Sequence, residues 1–178
     1  MITKSGYGLT RNELFSKYKF NHTILFETGT HKGDAVQTAL DLDFKKILSV
    51  EVMQDMFETC RTRFEKQIEE GTVTLYQGGS NDRMNEMLAQ VDSPTLFWLD
   101  AHFGDGTPVW GELEAIRNHP IKTHTILIDD VPLYFNKQNL EAKILEINPN
   151  YLFVYEDILN EGINVTYPDY DLVAYIPQ

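Results

Sequence analysis

The amino-acid sequence predicts an α/β fold, a doubly wound and mostly parallel seven-stranded sheet with an antiparallel final strand. Three observations predict it. Short apolar runs alternate with segments of helical apolar spacing from about residue 22 onward. The inner runs, such as Thr95-Leu96-Phe97-Trp98-Leu99, are apolar nearly throughout, as strands covered by helices on both faces must be. Several runs stop at a carboxylate, namely Glu27, Glu51, Asp100 and Asp129.

Each element follows in order. Residues 1–21 are polar with scattered aromatics (Tyr7, Phe15, Tyr18, Phe20) and read as an N-terminal helix or cap segment. That cap belongs to one domain spanning residues 1–178, a length that suits a single core. His22 to Phe26 leans towards a strand and runs into Glu27-Thr28-Gly29. Ala35 to Leu40 has helical spacing, and Lys46 to Glu51 is a short strand. Val52, Met56, Phe57, Cys60 and Phe64 form a helical stripe that ends near Gly71. Thr72 to Tyr76 alternates as a strand, and Met84, Met87 and Leu88 mark the next helix. The strand of Thr95 to Leu99 ends at Asp100, Leu113 and Ile116 lie in a helix, and Thr125 to Ile128 is a strand ending at Asp129-Asp130. Leu140, Ile144, Leu145 and Ile147 make one more helix before closing strands at Tyr151–Tyr155 and Leu172–Ile176. Between these two, Asn160-Glu161-Gly162 and Tyr167-Pro168-Asp169 leave no room for a full helix, so the last strand must be antiparallel.

Charge and composition bound the partners. With 27 acidic against 15 basic side chains the net charge is −12, so binding to a nucleic-acid backbone is not expected; one base in a pocket remains compatible. Cys60 is the one cysteine, which rules out an intrachain disulfide and fits a reducing compartment; Cys60 itself reads as a core residue. No stretch has signal-peptide character or approaches the roughly 18 apolar residues of a membrane span, so the expected address is the cytoplasm.

In open α/β sheets ligands lie beyond the carboxyl ends of the strands. Glu27-Thr28-Gly29-Thr30-His31-Lys32-Gly33 joins a strand to a helix there, with glycines that admit close backbone approach and a helix start with free N–H groups. Its plain alternative is a structural turn. Glu51 follows Gly29 by 22 residues, near the spacing at which an acid accepts hydrogen bonds from both ribose hydroxyls; otherwise it caps a helix. Gly78-Gly79-Ser80-Asn81-Asp82 can make room for an adenine ring and bond its edge, or serve as a helix cap.

Asp100, with Asp129 and Asp130 from the adjacent strand, would crowd three carboxylates at one point, which a divalent cation such as Mg²⁺ would relieve. The alternative is that Asp100 alone faces the site. His102 and His31 are candidate proton acceptors, while His22, His119 and His124 fall on the far side and carry no chemistry. Glu65 to Glu70 reads as a solvated helix face; Tyr134 and Phe135 either wall an acceptor pocket or pack in the core.

Residues 24 to 130 resemble the class I S-adenosylmethionine-dependent methyltransferases, through E-T-G-T-H-K-G, S-V-E, F-W-L-D-A-H and I-L-I-D-D-V. The run looks most like a small bacterial group and is similar to the catechol-type and macrocin-type O-methyltransferases. The resemblance implies a Rossmann-like fold, S-adenosylmethionine as cofactor, and a cofactor set of Glu27, Thr28, Gly29, Thr30, Gly33, Glu51, Gly79, Ser80, Asn81 and Asp100. By similarity to the catechol type, Asp100 and Asp129 would hold Mg²⁺, with Asp130 where that group has Asn. The lysine that follows the first metal Asp in that group is missing, because Phe103-Gly104-Asp105-Gly106 stands there. His102 is the nearest base, beside Asp100.

The implied reaction is an in-line transfer of the sulfonium methyl group to an oxygen of a small hydroxylated molecule, with a homodimer as a further expectation. Two rivals share the residues: a lyase or hydrolase of S-adenosylmethionine, and a non-catalytic nucleotide-binding protein of the same fold.

Overall fold

The computed structural model describes residues 8–102, 106–160 and 162–177. Tyr7, Phe103, Gly104, Asp105 and Glu161, which enter the sequence reading, lie outside the described residues.

The chain runs α1 (Arg11–Tyr18), β1 (Ile24–Thr28), α2 (Asp34–Asp41), β2 (Lys46–Glu51), α3 (Gln54–Arg63), α4 (Glu65–Glu69), β3 (Val73–Gln77), α5 (Ser80–Leu88), β4 (Leu96–Leu99), α6 (Val109–Asn118), β5 (Thr125–Ile128), α7 (Val131–Tyr134), α8 (Lys137–Leu145), β6 (Leu152–Asn160) and β7 (Val165–Tyr175). Seven strands form one sheet in the order β3-β2-β1-β4-β5-β7-β6. The first five are parallel, and β7 lies antiparallel between β5 and β6, as the missing crossover helix predicted.

Side chains alternate across a strand, and that period divides the core. Phe26, Phe97, Leu99, Ile126 and Ile128 pack under α5, α6 and α8. Leu25, Leu96, Trp98, Leu127 and Val173 pack on the other face with α1, α2 and Cys60 of α3. α1 packs into that second face: its Leu14 and Phe15 are wholly buried, and Phe15 meets Trp98 edge-on. Thr10 starts α1 by accepting from the Glu13 backbone, while the Glu13 carboxylate takes the Thr10 N–H, so both ends of the first turn are satisfied.

Three boundaries differ from the sequence reading. β1 begins two residues late and absorbs Glu27 and Thr28, because its ladder with β2 runs through Glu27↔Ser49 and Thr28↔Val50. His22 instead sits before the strand, bonded to Thr125 Oγ1 at 2.8 Å. The closing strands extend into a long hairpin, with an irregularity between Glu156 and Ile158. An unforeseen short helix, α7, follows Asp130, with Pro132 in its first turn, where a missing N–H costs nothing. No helix among the described residues is long and apolar enough to cross a membrane.

Candidate functional site

The order of strands reverses direction between β1 and β4, so the connections after them leave to opposite sides and open a crevice at their carboxyl ends. A cavity of about 850 Å³ lies there, within the size range of small-molecule and cofactor sites. Its wall includes Gly29, Glu51, Gly79, Ser80, Asn81 and Asp100 of the expected cofactor set, with His31 and His102. Glu27, Thr28, Thr30 and Gly33 do not line it; they form the layer beneath.

Gly29 adopts φ +86°, and a Cβ there would come within 2.8 Å of the Asp100 carbonyl oxygen. Only glycine lets β1 and β4 close over each other at this point. Gly33 takes φ +81° at the start of α2, against the Phe64 ring. No side chain caps α2, so its first N–H groups have no side-chain acceptor.

Glu51 is fixed from two sides. One carboxylate oxygen accepts the His31 N–H at 2.7 Å and the other accepts the Met53 N–H at 2.8 Å. The loop after β1 and the start of α3 thus aim this acid into the cavity, and each oxygen keeps a lone pair for a ligand hydroxyl. Half-exposed Val52 and Met53 beside it offer an apolar surface.

Glu27 has the opposite fate. It is almost wholly buried, accepts the Ser49 hydroxyl at 2.5 Å, and burial pushes its pKa up to about 8. Thr30 joins the same network through a hydroxyl contact of 2.5 Å to Ser49.

The alternation that places Leu25, Trp98, Leu127 and Val173 on the α1 face carries Glu27, Asp100, Asp129 and Asp171 to that side as well. Burial first, then the neighbouring Asp129 charge, raises Asp100 well above the usual carboxylate range. Asp171 is raised likewise by burial and by Asp129, with which it shares a hydrogen bond. The β5–β7 register explains the pairing: Ile128 faces Leu172, so the next residues, Asp129 and Asp171, meet.

The expected trio of Asp100, Asp129 and Asp130 is consequently rearranged. Asp100, His102 and Asp130 bring one ligand atom each within 4.8 Å of one another, whereas Asp129 is engaged by Asp171 and by the Asp130 N–H. Asp130 reaches this position because its backbone is left-handed, φ 58°. His102 Nδ1 lies 3.2 Å from the Asp100 carbonyl oxygen and 3.8 Å from a carboxylate oxygen of each aspartate, and its ring stacks on Tyr134 at 5.7 Å. Tyr134 and Phe135 border a small recess with Asp129, Asp130 and His102, while Trp110 meets Phe135 edge-on.

Sequence reasoning missed three residues. Asp171 lies far along the chain in a strand read as apolar from Leu172 onward. Glu112 is completely buried in α6, where burial raises it to about 7 and the nearby Ser80 and Thr28 hydroxyls oppose that rise. Those hydroxyls are close yet outside good hydrogen-bond geometry. Arg11 stands over the Trp98 ring at 5.8 Å. A lone acid in a helix pattern or a lone arginine in a polar leader gives no signal that separates it from surface residues.

No family model matches the sequence, and no curated protein matches it. Solved structures do. The chain has the fold of the class I methyltransferases. It superposes on the O-methyltransferase from Bacillus cereus in complex with SAH with a TM-score of 0.65 and 13% identity, covering 94% of this chain and 79% of that one. Methyltransferase FkbM from Methylobacillus flagellatus gives 0.66 at 13% identity, over 96% of this chain and 48% of that one. SAH-bound methyltransferase PaMTH1 from Podospora anserina gives 0.58 at 15% identity, over 93% and 76%.

Proposed function

We propose that the chain binds S-adenosylmethionine and transfers its methyl group to an oxygen of a small hydroxylated molecule. The observation that carries this reading is Glu51: an acid fixed by two backbone N–H groups, inside a cavity whose other walls are Gly29 and the Gly79-Ser80-Asn81 turn. A ribose diol needs such an acceptor, and a flat base needs the unobstructed turn beside it. Two of the structures that share the fold hold SAH.

Methyl transfer is a displacement in which oxygen, carbon and sulfur must be collinear. The sulfonium charge vanishes as the bond forms, so the chain's chief contribution is alignment rather than charge stabilisation. Asp100 and Ala101 would flank the methyl group from the end of β4. His102 can donate Nδ1–H to the Asp100 carbonyl, which leaves Nε2 to accept the acceptor's proton. Tyr134, Phe135 and Trp110 would border the acceptor.

A divalent cation fits the donor set of two carboxylates and an imidazole at Asp100, Asp130 and His102; with it bound His102 would be a ligand, and solvent rather than His102 would take the acceptor's proton. When bound, it would orient the acceptor hydroxyl and lower its pKa.

Calorimetry with S-adenosylmethionine and with NAD, each with and without Mg²⁺, tests the cofactor. Micromolar binding of the sulfonium compound alone is expected, and indifference to it at millimolar dose would end the reading. Incubation without acceptor should leave the cofactor intact; its breakdown would make the protein a lyase or hydrolase. Asp130→Ala should slow transfer at least about a hundredfold while cofactor affinity stays within a few fold, since Asp130 touches only the acceptor side.

A further inference from the structure

We propose that Glu112 is a positioning residue: from α6 its carboxyl ties the first turn of α5 to the end of β1, and so sets one wall of the cavity. The tether stands on the arrangement of these three elements; its effect on a ligand rests on the cofactor reading above. Val109, Glu112, Leu113 and Ile116 form the buried stripe of α6, so one acid interrupts an apolar row that packs with Met84, Met87 and Leu88 of α5. Thr28 reaches the same layer by strand alternation. It follows Phe26 by two residues and pairs with Leu99, and both belong to the α5–α6 side of the core. Ser80 reaches it from the start of α5. Gly111 lies so close to Asn81 that no Cβ fits between them, which brings the adjoining residues, Glu112 and Ser80, to one level.

Four oxygens lie in this layer: Thr28 Oγ1, Ser80 Oγ and both carboxyl oxygens of Glu112. All are sealed from solvent, and none is bonded to any other described group. A leucine would fill the stripe without the cost of burying a carboxyl. The two hydroxyls are the groups that offset this cost. A carboxyl has two oxygens, so it can engage one hydroxyl from β1 and one from α5, which no apolar side chain can do. Ser80 Oγ is shut away from the cavity, so this hydroxyl serves the turn rather than a ligand. The turn itself walls the cavity through Gly79, Ser80 and Asn81. No side chain caps the start of α5, which leaves Ser80 as the hydroxyl that can anchor it from behind.

The test compares wild type with Glu112→Leu, Glu112→Gln, Ser80→Ala and the double variant Ser80→Ala/Glu112→Leu. Calorimetry with S-adenosylhomocysteine reads the wall, and deuterium uptake over residues 79–88 of the ligand-free protein reads the tether. Glu112→Leu should weaken affinity about tenfold and speed uptake, the effect of losing one buried polar anchor. Glu112→Gln keeps an acceptor and a donor and should match wild type within about twofold. On the Ser80→Ala background, Glu112→Leu should cost less than about twofold more, because its partner is already gone. Wild-type affinity or wild-type uptake in Glu112→Leu overturns the inference. A full loss that persists without Ser80, or a Glu112→Gln as impaired as Glu112→Leu, also overturns it and makes Glu112 a packing residue. Should Glu112→Leu not fold, Ser80→Ala decides alone: it removes a hydroxyl that no ligand reaches, so wild-type affinity and uptake there overturn the tether. If wild type ignores the nucleoside, the methyltransferase reading falls, and uptake in the ligand-free variants still decides the tether.

Discussion

Glu27 shows how a single buried acid couples this site to pH. Its ordinary value of 4.5 rises to about 8 inside the fold, mostly through burial. The folded state therefore holds a proton that the unfolded chain gives up. Between those two values stability falls as pH rises; below 4.5 the cost is absent, and above 8 it is complete. Glu27→Gln keeps a partner for Ser49 and removes the ionisation. Its melting temperature should exceed that of wild type by a margin that grows from pH 4.5 to pH 8, on the order of a few kcal/mol at the upper end. A margin that does not change with pH would show that Glu27 stays neutral throughout or is already ionised at low pH. The acids that line a crevice are easy to see in a sequence, but burial is not. Glu51 ends β2 and Glu27 lies one residue short of the end of β1, yet one is held at the cavity wall and the other is sealed beneath it.

At the scale of elements, α5 and α6 cross where Gly111 faces Asn81. A Cβ on Gly111 would meet Asn81 Oδ1 at 2.4 Å, and Asn81 is an exposed side chain that lines the cavity. Gly111→Ala separates two effects. Alanine favours the α6 interior by about 1 kcal/mol, and an exposed Asn81 can swing away. Melting temperature should hold or rise while affinity for the adenosyl cofactor drops severalfold; unchanged affinity would remove Asn81 from the binding wall. Element order and the antiparallel last strand were legible because strand and helix periods differ and because the final connection is too short for a helix. The ends of the elements were not. His22 is β-leaning but is held outside β1 by Thr125, and β7 reaches back to Val165 because its hairpin partner, rather than its own apolar pattern, sustains it. The approach of Asp171 to Asp129 depended on that register and could not be read from spacing along the chain.

Across the whole molecule, two sets of buried ionisable groups oppose each other at opposite ends of the sheet. The histidines that the sequence left without chemistry form one set: His124 accepts the Thr95 N–H and lies 3.2 Å from His119, with His22 on Thr125. Burial lowers His22 and takes His124 down to about 3. Their contribution is intact above the ordinary value of 6.5 and is lost as pH falls below it towards 3, because the unfolded chain binds the protons that the fold refuses. The raised carboxyls at the other end act in the reverse sense, losing stability as pH rises. Between pH 4.5 and 6.5 the raised carboxyls of Glu27, Asp100, Glu112 and Asp171 outnumber the lowered imidazoles of His22 and His124, so wild type should be most stable on the acid side of neutrality, at roughly pH 4 to 5. His124→Gln should lower the melting temperature at pH 7, and the deficit should shrink as pH falls from 6.5 towards 4. A deficit that stays constant over that range would remove His124 from the pH response.

The insertion of β7 between β5 and β6 has a consequence for assembly. During synthesis β6 leaves the ribosome first, yet its neighbour in the sheet is the strand still to come, and β5 has no other partner on that side. Until Val165–Tyr175 emerges, the nascent chain presents the apolar edge of Thr125–Ile128 to its surroundings, and such an edge invites pairing with another chain. Ribosome-stalled chains ending before β7 should accordingly recruit chaperones or aggregate, and those carrying it clear of the exit tunnel should resist protease.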